Sequence, residues 1–264
     1  KNMNILVGEP KVVSEEKNKA VFEISPLYTG YGLTIGNSLR RVLLSSMEGA
    51  AAVKVRIEGV PHEFTTVPGV LEDVVDIILN LKRVRFKLAG VDSAKVILEA
   101  SGEGEVLAKQ LKAPTGVEVV NPDQSIATLT DKKAELKMEI EVERGMGYVP
   151  VELRQKEKLS VGEIAIDAIY NPVQRVSFRV ENLRVGDRTD FNSLLIEIET
   201  DGSITPQEAL KRATEILIEQ FNSVGQSEVL QVKSKPSRKA EKEETAEEGA
   251  KPKKKRGRPK KMKE

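Results

Sequence analysis

The chain of 264 residues is 39% apolar, 31% charged and 4% aromatic, and no apolar run approaches the roughly 20 residues of a membrane-spanning helix. The absence of cysteine excludes disulfides and thiolate metal sites and fits a cytoplasmic location. The net charge of +1 combines a basic segment with an acidic remainder. Residues 233–264 hold 14 basic and 6 acidic residues, whereas the rest of the chain holds 28 basic and 35 acidic residues.

The first predicted elements are a strand, a glycine-rich turn and an amphipathic helix. The strand covers residues 18–24, and Gly30, Gly32 and Gly36 precede or open a helix over residues 33–47. The glycines predict a tight turn or a close approach of the backbone to another element. Helical spacing relates the apolar residues Ile35, Leu39, Val42, Leu43 and Met47. This stripe fits an ordinary core helix as well as a helix that contacts a partner.

Strands dominate the middle of the chain. The predicted strands are residues 53–58, 83–88, 96–100, 117–120 and 134–142. Apolar and charged residues alternate strictly over residues 134–142, which favours an antiparallel sheet with one wet face. Pro68 and Gly69 end a predicted loop and lead into a helix that runs through about residue 82, with Glu72, Asp73 and Asp76 near the positive end of its dipole.

Two more strands, residues 176–181 and 194–199, precede a second amphipathic helix. Thr205-Pro206-Gln207-Glu208 is a capping box with proline at the first helical position. The stripe of this helix is Leu210, Ala213, Leu217, Phe221 and Val224, and Gly225 predicts its end. Helices near both ends with mostly strands between them predict an α+β fold.

Three segments carry a resemblance. Residues 28–82, the motif RGMGYVP at 144–150, and residues 165–210 resemble the alpha subunit of bacterial DNA-directed RNA polymerase. The match covers about residues 1–231 in order, so it is far more specific than one short motif. The resemblance implies a discontinuous dimerisation and assembly subdomain, residues 1–48 and 174–231. It also implies an inserted, mainly antiparallel β subdomain, residues 49–173.

The resemblance further implies a homodimer that serves as the platform on which the beta and beta-prime subunits assemble. The implied dimer interface is Ile35, Leu39, Val42, Leu43, Leu210, Leu217 and Phe221. The residues implied to dock the large subunits are Arg40, Arg41, His62 and Glu72. The polymerase active site and its magnesium are expected on the large subunits, with magnesium on beta-prime, so no cofactor is expected in this subunit.

The residues themselves argue against catalysis within this chain. His62 is the single histidine, and no serine or aspartate neighbour suggests a triad. Gly30, Gly32 and Gly36 do not have the spacing of a dinucleotide-binding motif. Glu72 and Asp73 are consecutive and would diverge around a helix. We therefore predict neither catalytic residues nor a metal site in this chain, and an independent enzyme is the less favoured interpretation.

The last segment, residues 232–264, is rich in Lys, Glu, Pro and Ala, a composition typical of disorder. It contains PKKKRGRPKK, which resembles an AT-hook, a motif that lays two arginines along the minor groove of A·T-rich DNA. The predicted DNA-binding residues are Lys254, Lys255, Arg256, Gly257, Arg258, Pro259 and Lys260. A polycation that grips phosphates without base preference is the alternative.

The basic tail is also compatible with a different class of protein. A stand-alone DNA-architectural protein would use the same basic motif without any polymerase partner. In the alpha-subunit family a small helical domain usually follows a linker, and this sequence ends where that linker would run. Contacts with activators that depend on such a domain are therefore not expected from these residues.

Overall fold

The computed structural model describes residues 8–154, 160 and 162–226. Within them, antiparallel strands predominate and four α-helices accompany them, which confirms the α+β class. The helices are α1 (Tyr31–Ser45), α2 (Val74–Leu81), α3 (Val151–Arg154) and α4 (Pro206–Gln226). Residues up to Asn222 form one compact unit.

The strands are numbered in chain order. The first eight are β1 (Lys11–Glu16), β2 (Lys19–Leu27), β3 (Glu48–Ile57), β4 (Phe86–Leu88), β5 (Ser93–Ser101), β6 (Gly104–Leu107), β7 (Leu111–Lys112) and β8 (Val117–Val119). The remaining seven are β9 (Ser125–Leu129), β10 (Glu135–Met146), β11 (Tyr148–Val149), β12 (Glu163–Ala165), β13 (Ala168–Ile169), β14 (Val173–Val185) and β15 (Arg188–Thr200).

A four-stranded sheet joins the two ends of the described chain, in the order β1-β2-β15-β14. Ala20, Phe22 and Ile24 alternate with less buried residues in the first part of β2, which is the period of a half-covered strand. These side chains form one hydrophobic cluster with Leu39 and Leu43 of α1 and with Leu210 of α4. The cluster fixes both long helices on this sheet.

A seven-stranded sheet occupies the middle of the chain, in the order β7-β5-β10-β3-β4-β8, with β12 also paired to β3. Its central strand β10 alternates as predicted, with Leu136, Met138, Ile140 and Val142 almost completely buried. Helix α2 adds Val74, Ile77 and Leu81 to the same cluster. The two-stranded pairs β11-β13 and β6-β9 complete the architecture.

Several predicted boundaries were wrong for identifiable reasons. Helix α2 begins at Val74 rather than directly after Gly69, because Asp73 caps it by accepting a hydrogen bond from the Asp76 N–H at 2.7 Å. Helix α4 continues through Gly225, so this glycine does not end it. Strand β1 was not predicted, since all its residues are exposed and no alternation of burial marks it.

Candidate functional site

Helix α1 lies directly against the β14–β15 hairpin because two glycines allow it. A Cβ atom on Gly36 would lie 2.6 Å from Cδ2 of Phe178, and one on Gly32 would lie 2.7 Å from Cγ1 of Val180. Real Cβ atoms do not approach other atoms so closely, so a larger residue would force the helix or these side chains to shift. The predicted close approach at these glycines is confirmed.

The opposite face of α1 is exposed and carries two arginines. Leu33, Asn37, Arg40, Arg41 and Leu44 recur at helical spacing, and all are exposed. Among the described residues, neither arginine has an acidic partner. Two planar donors flanked by exposed leucines can bind a carboxylate or backbone carbonyls of a partner.

The seven residues predicted for the dimer interface fall into three groups. Leu39, Leu43 and Leu210 are buried in the hydrophobic cluster of their own chain. Ile35, Val42 and Leu217 are half-buried at its margin, and Phe221 is 65% exposed. Thus the apolar stripe first serves the internal core. A contact with a second copy stays a prediction and must rest on the half-buried and exposed members.

Exposure identifies apolar residues that sequence periodicity missed. Ile218 of α4 is 55% exposed, close along the helix to Phe221, and Leu33 and Leu44 are exposed on α1. A helical wheel centred on the core stripe places these residues outside it and cannot distinguish a partner-binding face from isolated surface residues. Only the burial of the rest of each helix identifies them.

A second exposed apolar surface lies around α2. Phe64 is 81% exposed, and Leu71, Val75 and Leu79 follow at spacings of four residues. His62, a predicted docking residue, is exposed beside Phe64, with ring centroids 6.4 Å apart. Several large exposed apolar residues on one segment are a feature of interaction surfaces.

Glu72 has an internal role on this same segment. Its carboxylate accepts hydrogen bonds from the Thr128 N–H at 2.7 Å and from the Thr128 hydroxyl at 2.9 Å. The prediction that Glu72 sits in the first turn of a helix was wrong, because it precedes the Asp73 cap and ties the loop to β9. A contact between Glu72 and a large subunit stays a prediction, and it would use a carboxylate that already accepts two hydrogen bonds within its own chain.

The turn before α1 is tied to the start of β15. The Arg188 guanidinium donates to both oxygens of Asp190, and Asp190 Oδ2 also accepts from the Thr29 hydroxyl at 2.7 Å. Arg188 stacks over the Tyr28 and Phe191 rings at 5.2 and 5.1 Å. The hydrogen bonds from Arg188 and Thr29 hold the pKa of the Asp190 carboxyl well below its usual range.

The remaining predictions concern DNA binding by the tail, metal ions and membrane-spanning helices. The DNA-binding residues Lys254, Lys255, Arg256, Gly257, Arg258, Pro259 and Lys260 lie outside the described residues. Across residues 8–154, 160 and 162–226, no group of three or more His, Cys, Asp or Glu residues could hold a metal ion. The same part of the chain contains no helix long and apolar enough to cross a membrane.

Comparison with known proteins gives consistent results. Residues 55–171 match the model of the RNA polymerase Rpb3/RpoA insert domain. The chain is 45% identical over 235 residues to the DNA-directed RNA polymerase subunit alpha of Roseiflexus sp. (strain RS-1), which covers 89% of this chain and 72% of that relative. It is 49% identical over 215 residues to the same subunit of Carboxydothermus hydrogenoformans, covering 81% and 68% of the two chains. The corresponding subunit of Clostridium acetobutylicum is 48% identical over 219 residues, covering 81% and 69%.

Proposed function

The chain belongs to the family of DNA-directed RNA polymerase alpha subunits, and from that premise we propose that two copies form the scaffold on which the beta and beta-prime subunits assemble. The observation that carries this proposal is the outward face of α1, where Arg40 and Arg41 have no acidic partner among the described residues and lie between exposed leucines. Nucleotidyl transfer belongs to the assembled polymerase, and its magnesium would be held by beta-prime.

We propose two subdomains for this scaffold, residues 1–48 with 174–231 and residues 49–173. Two separate hydrophobic clusters support the division, one around the four-stranded sheet and one around the seven-stranded sheet. The first would form the dimer and carry α1, and the second would present the α2 surface. Each cluster consists of buried, mostly aliphatic side chains, and their removal from water favours folding.

The dimer contact would use the apolar residues that the internal core leaves accessible. Ile35 and Val42 are half-buried and seven residues apart, so they lie on one side of α1. Ile218 and Phe221 are exposed on α4. Packing these helices against their copies would remove this apolar surface from water, which is the dominant favourable term in association.

The experiment that tests large-subunit docking is Arg41→Ala in a reconstituted assembly with purified beta subunit. We expect the dimer to persist and beta binding to weaken by about 2 kcal/mol or more, because a charge-assisted contact is lost. Arg56→Ala is the matched control, since Arg56 is an exposed arginine on β3, away from α1. Normal assembly by Arg41→Ala would refute the docking role.

A second activity, contact of the tail with A·T-rich DNA, is favoured by the sequence Arg256-Gly257-Arg258-Pro259. Lysines around it would supply salt-sensitive phosphate contacts, and the arginines would supply the base preference. Changing both arginines to lysine keeps the charge but removes the flat groups. The full chain should prefer A·T-rich over G·C-rich duplexes in binding assays at physiological salt, and this variant should not. If the unaltered chain shows no such preference, the AT-hook hypothesis is wrong, and the tail acts as a polycation that contacts phosphates without base preference.

A further inference from the structure

Helix α1 has no sequence signals of its own at either end. Gly30, at the N-cap position, has a left-handed backbone with φ of 85° and no side chain to accept a hydrogen bond. No acidic residue lies in the first turn and no basic residue lies in the last. Gly32 and Gly36 lower its intrinsic helix propensity further, by roughly 1 kcal/mol each. Something outside the helix must satisfy its terminal backbone groups.

Two asparagines far along the chain do so. At the N-terminal end, the Asn192 side-chain oxygen accepts from the Gly30 N–H at 2.9 Å. At the C-terminal end, the Asn171 side-chain amide donates to the Leu44 carbonyl at 2.8 Å and to the Leu43 carbonyl at 3.3 Å. These donors and acceptors are among the groups that every helix leaves unsatisfied at its ends.

Both asparagines are held in place by the strands that carry them. Asn192 belongs to β15 and is only 8% exposed. Asn171 precedes β14, and its side-chain oxygen accepts from the Val173 N–H at 3.0 Å, which orients its amide toward α1. Each side chain therefore presents the atom that its end of the helix lacks, an acceptor at the N-terminus and a donor at the C-terminus.

We infer that Asn171 and Asn192 are positioning residues, which cap α1 from outside and hold it where Arg40 and Arg41 face the large subunits. The inference rests on the proposed docking function of α1. Because the caps come from the β14–β15 region, the helix keeps its axial position relative to this hairpin. Gly32 and Gly36 set the distance of α1 from the hairpin, and the two asparagines set where it begins and ends.

One chemical change, amide to carboxylate, tests both caps with opposite expectations. Asn171→Asp replaces the donor with an anion that faces two carbonyls at the negative end of the helix dipole. Asn192→Asp keeps the acceptor and places negative charge at the positive end, so it should preserve the cap. A role in folding alone would not give this dependence on which end is altered.

Asn121→Asp is the matched control. Asn121 has the same pair of contacts as Asn171, donating to the Arg83 carbonyl at 2.9 Å and accepting from the Arg85 N–H at 2.7 Å. Its contacts join the segments around β4 and β8 and do not involve α1. The variant therefore reproduces the loss of a donor and the gain of a charge without altering the helix.

The first measurement is amide hydrogen exchange of α1 in the whole chain of 264 residues. Asn171→Asp should accelerate exchange in residues 40–45 about tenfold, whereas Asn192→Asp and Asn121→Asp should leave α1 exchange unchanged within about twofold. Unchanged exchange in Asn171→Asp, or equal acceleration by both Asp variants at the two ends, would overturn the capping inference.

The second measurement is capture of purified beta subunit at a temperature where circular dichroism shows every variant folded. Asn171→Asp should lower the affinity about five- to tenfold, and Asn121→Asp should not. Equal loss in Asn121→Asp would mean general destabilisation and would overturn the positioning role. Hydrogen exchange decides the capping independently of Arg41→Ala, so failure of the docking proposal can be distinguished from failure of this inference.

Discussion

Helices α1 and α4 belong to one hydrophobic cluster but begin in opposite ways. The Thr205 hydroxyl at the start of α4 accepts from the Glu208 N–H at 3.2 Å, and Pro206 occupies the first position. Helix α1 begins at a left-handed glycine and takes its cap from Asn192, 162 residues later. A helix with local signals forms where its sequence directs, whereas α1 requires the hairpin before its ends are defined.

The glycines of the two helices also differ in their surroundings. Gly36 of α1 has Phe178 and Leu194 directly against it, while Gly225 of α4 has no described atom within 4 Å of an added Cβ. The same residue type thus permits close packing in one helix and only weakens propensity in the other. Replacing glycine by alanine should therefore lower the free energy of unfolding at Gly36 and raise it at Gly225.

The largest effect is expected at the buried stripe. Leu39→Asp would bury an unpaired carboxylate within the cluster, at a cost of several kcal/mol, which is comparable to the total stability of a domain. We expect loss of the folded chain or aggregation, measured by circular dichroism and light scattering. A folded Leu39→Asp protein would contradict the burial of α1 against its own sheet.

Phe221→Asp separates the interface from the core. Phe221 is 65% exposed, so the variant should remain folded, and light scattering should show a monomer if α4 pairs with a second copy. Lys211→Asp, at an exposed position of the same helix, is the control for added negative charge. A stable dimer with Phe221→Asp would remove this residue from the interface.

Gly36→Ala is expected to destabilise by about 1–3 kcal/mol, because the added methyl group overlaps Phe178. Gly225→Ala should instead stabilise α4 by up to about 1 kcal/mol, since it raises helix propensity in open space. Urea unfolding of the two variants and the parent chain measures both changes. Equal effects at the two glycines would contradict the close approach of α1 to the hairpin.

Thr205→Ala should cost about 1 kcal/mol, because the Glu208 N–H loses its capping acceptor. Thr205→Ser keeps the hydroxyl and should be nearly neutral. Thermal unfolding of the three proteins measures this difference. If alanine and serine behave alike, the start of α4 depends on packing rather than on its cap.

The smallest effect is expected at the exposed Asp190. Its pKa is lowered by the Arg188 and Thr29 hydrogen bonds, so its stabilising contribution is present above the unfolded-state value of about 3.9 and is lost as pH falls through the lower folded value. Asp190→Asn lacks this contribution. The difference in unfolding free energy between parent and variant should therefore shrink below about pH 4, and a constant difference would exclude ionisation as its source.

Much of the architecture follows from local pattern, and the failures have physical causes. Strand β10 was predictable because its alternation over Leu136, Met138 and Ile140 reflects one dry face. The capping box at Thr205 correctly predicted where α4 begins. Glu72 was misplaced in a helix because its partner Thr128 lies 56 residues away and leaves no mark on the local sequence.

The candidate site shows the same division. Periodicity predicted the stripes of α1 and α4 but could not separate Leu39 and Leu43 of α1, which are buried in the chain's own cluster, from Phe221 of α4, which is exposed. An apolar residue has the same hydropathy whether a neighbouring strand or a second copy covers it. The exposed Ile218, Leu33 and Leu44 were missed for the same reason.

The sequence by itself determined the α+β class, the positions of the long helices and the family to which the chain belongs. These depend on hydrophobic period, local caps and long ordered identities, all of which are written in consecutive residues. Only the tertiary structure decided which face of α1 is free, and which distant asparagines define its ends. Those properties arise from contacts between residues 127 to 162 positions apart, and such contacts exist only after the sheet has formed.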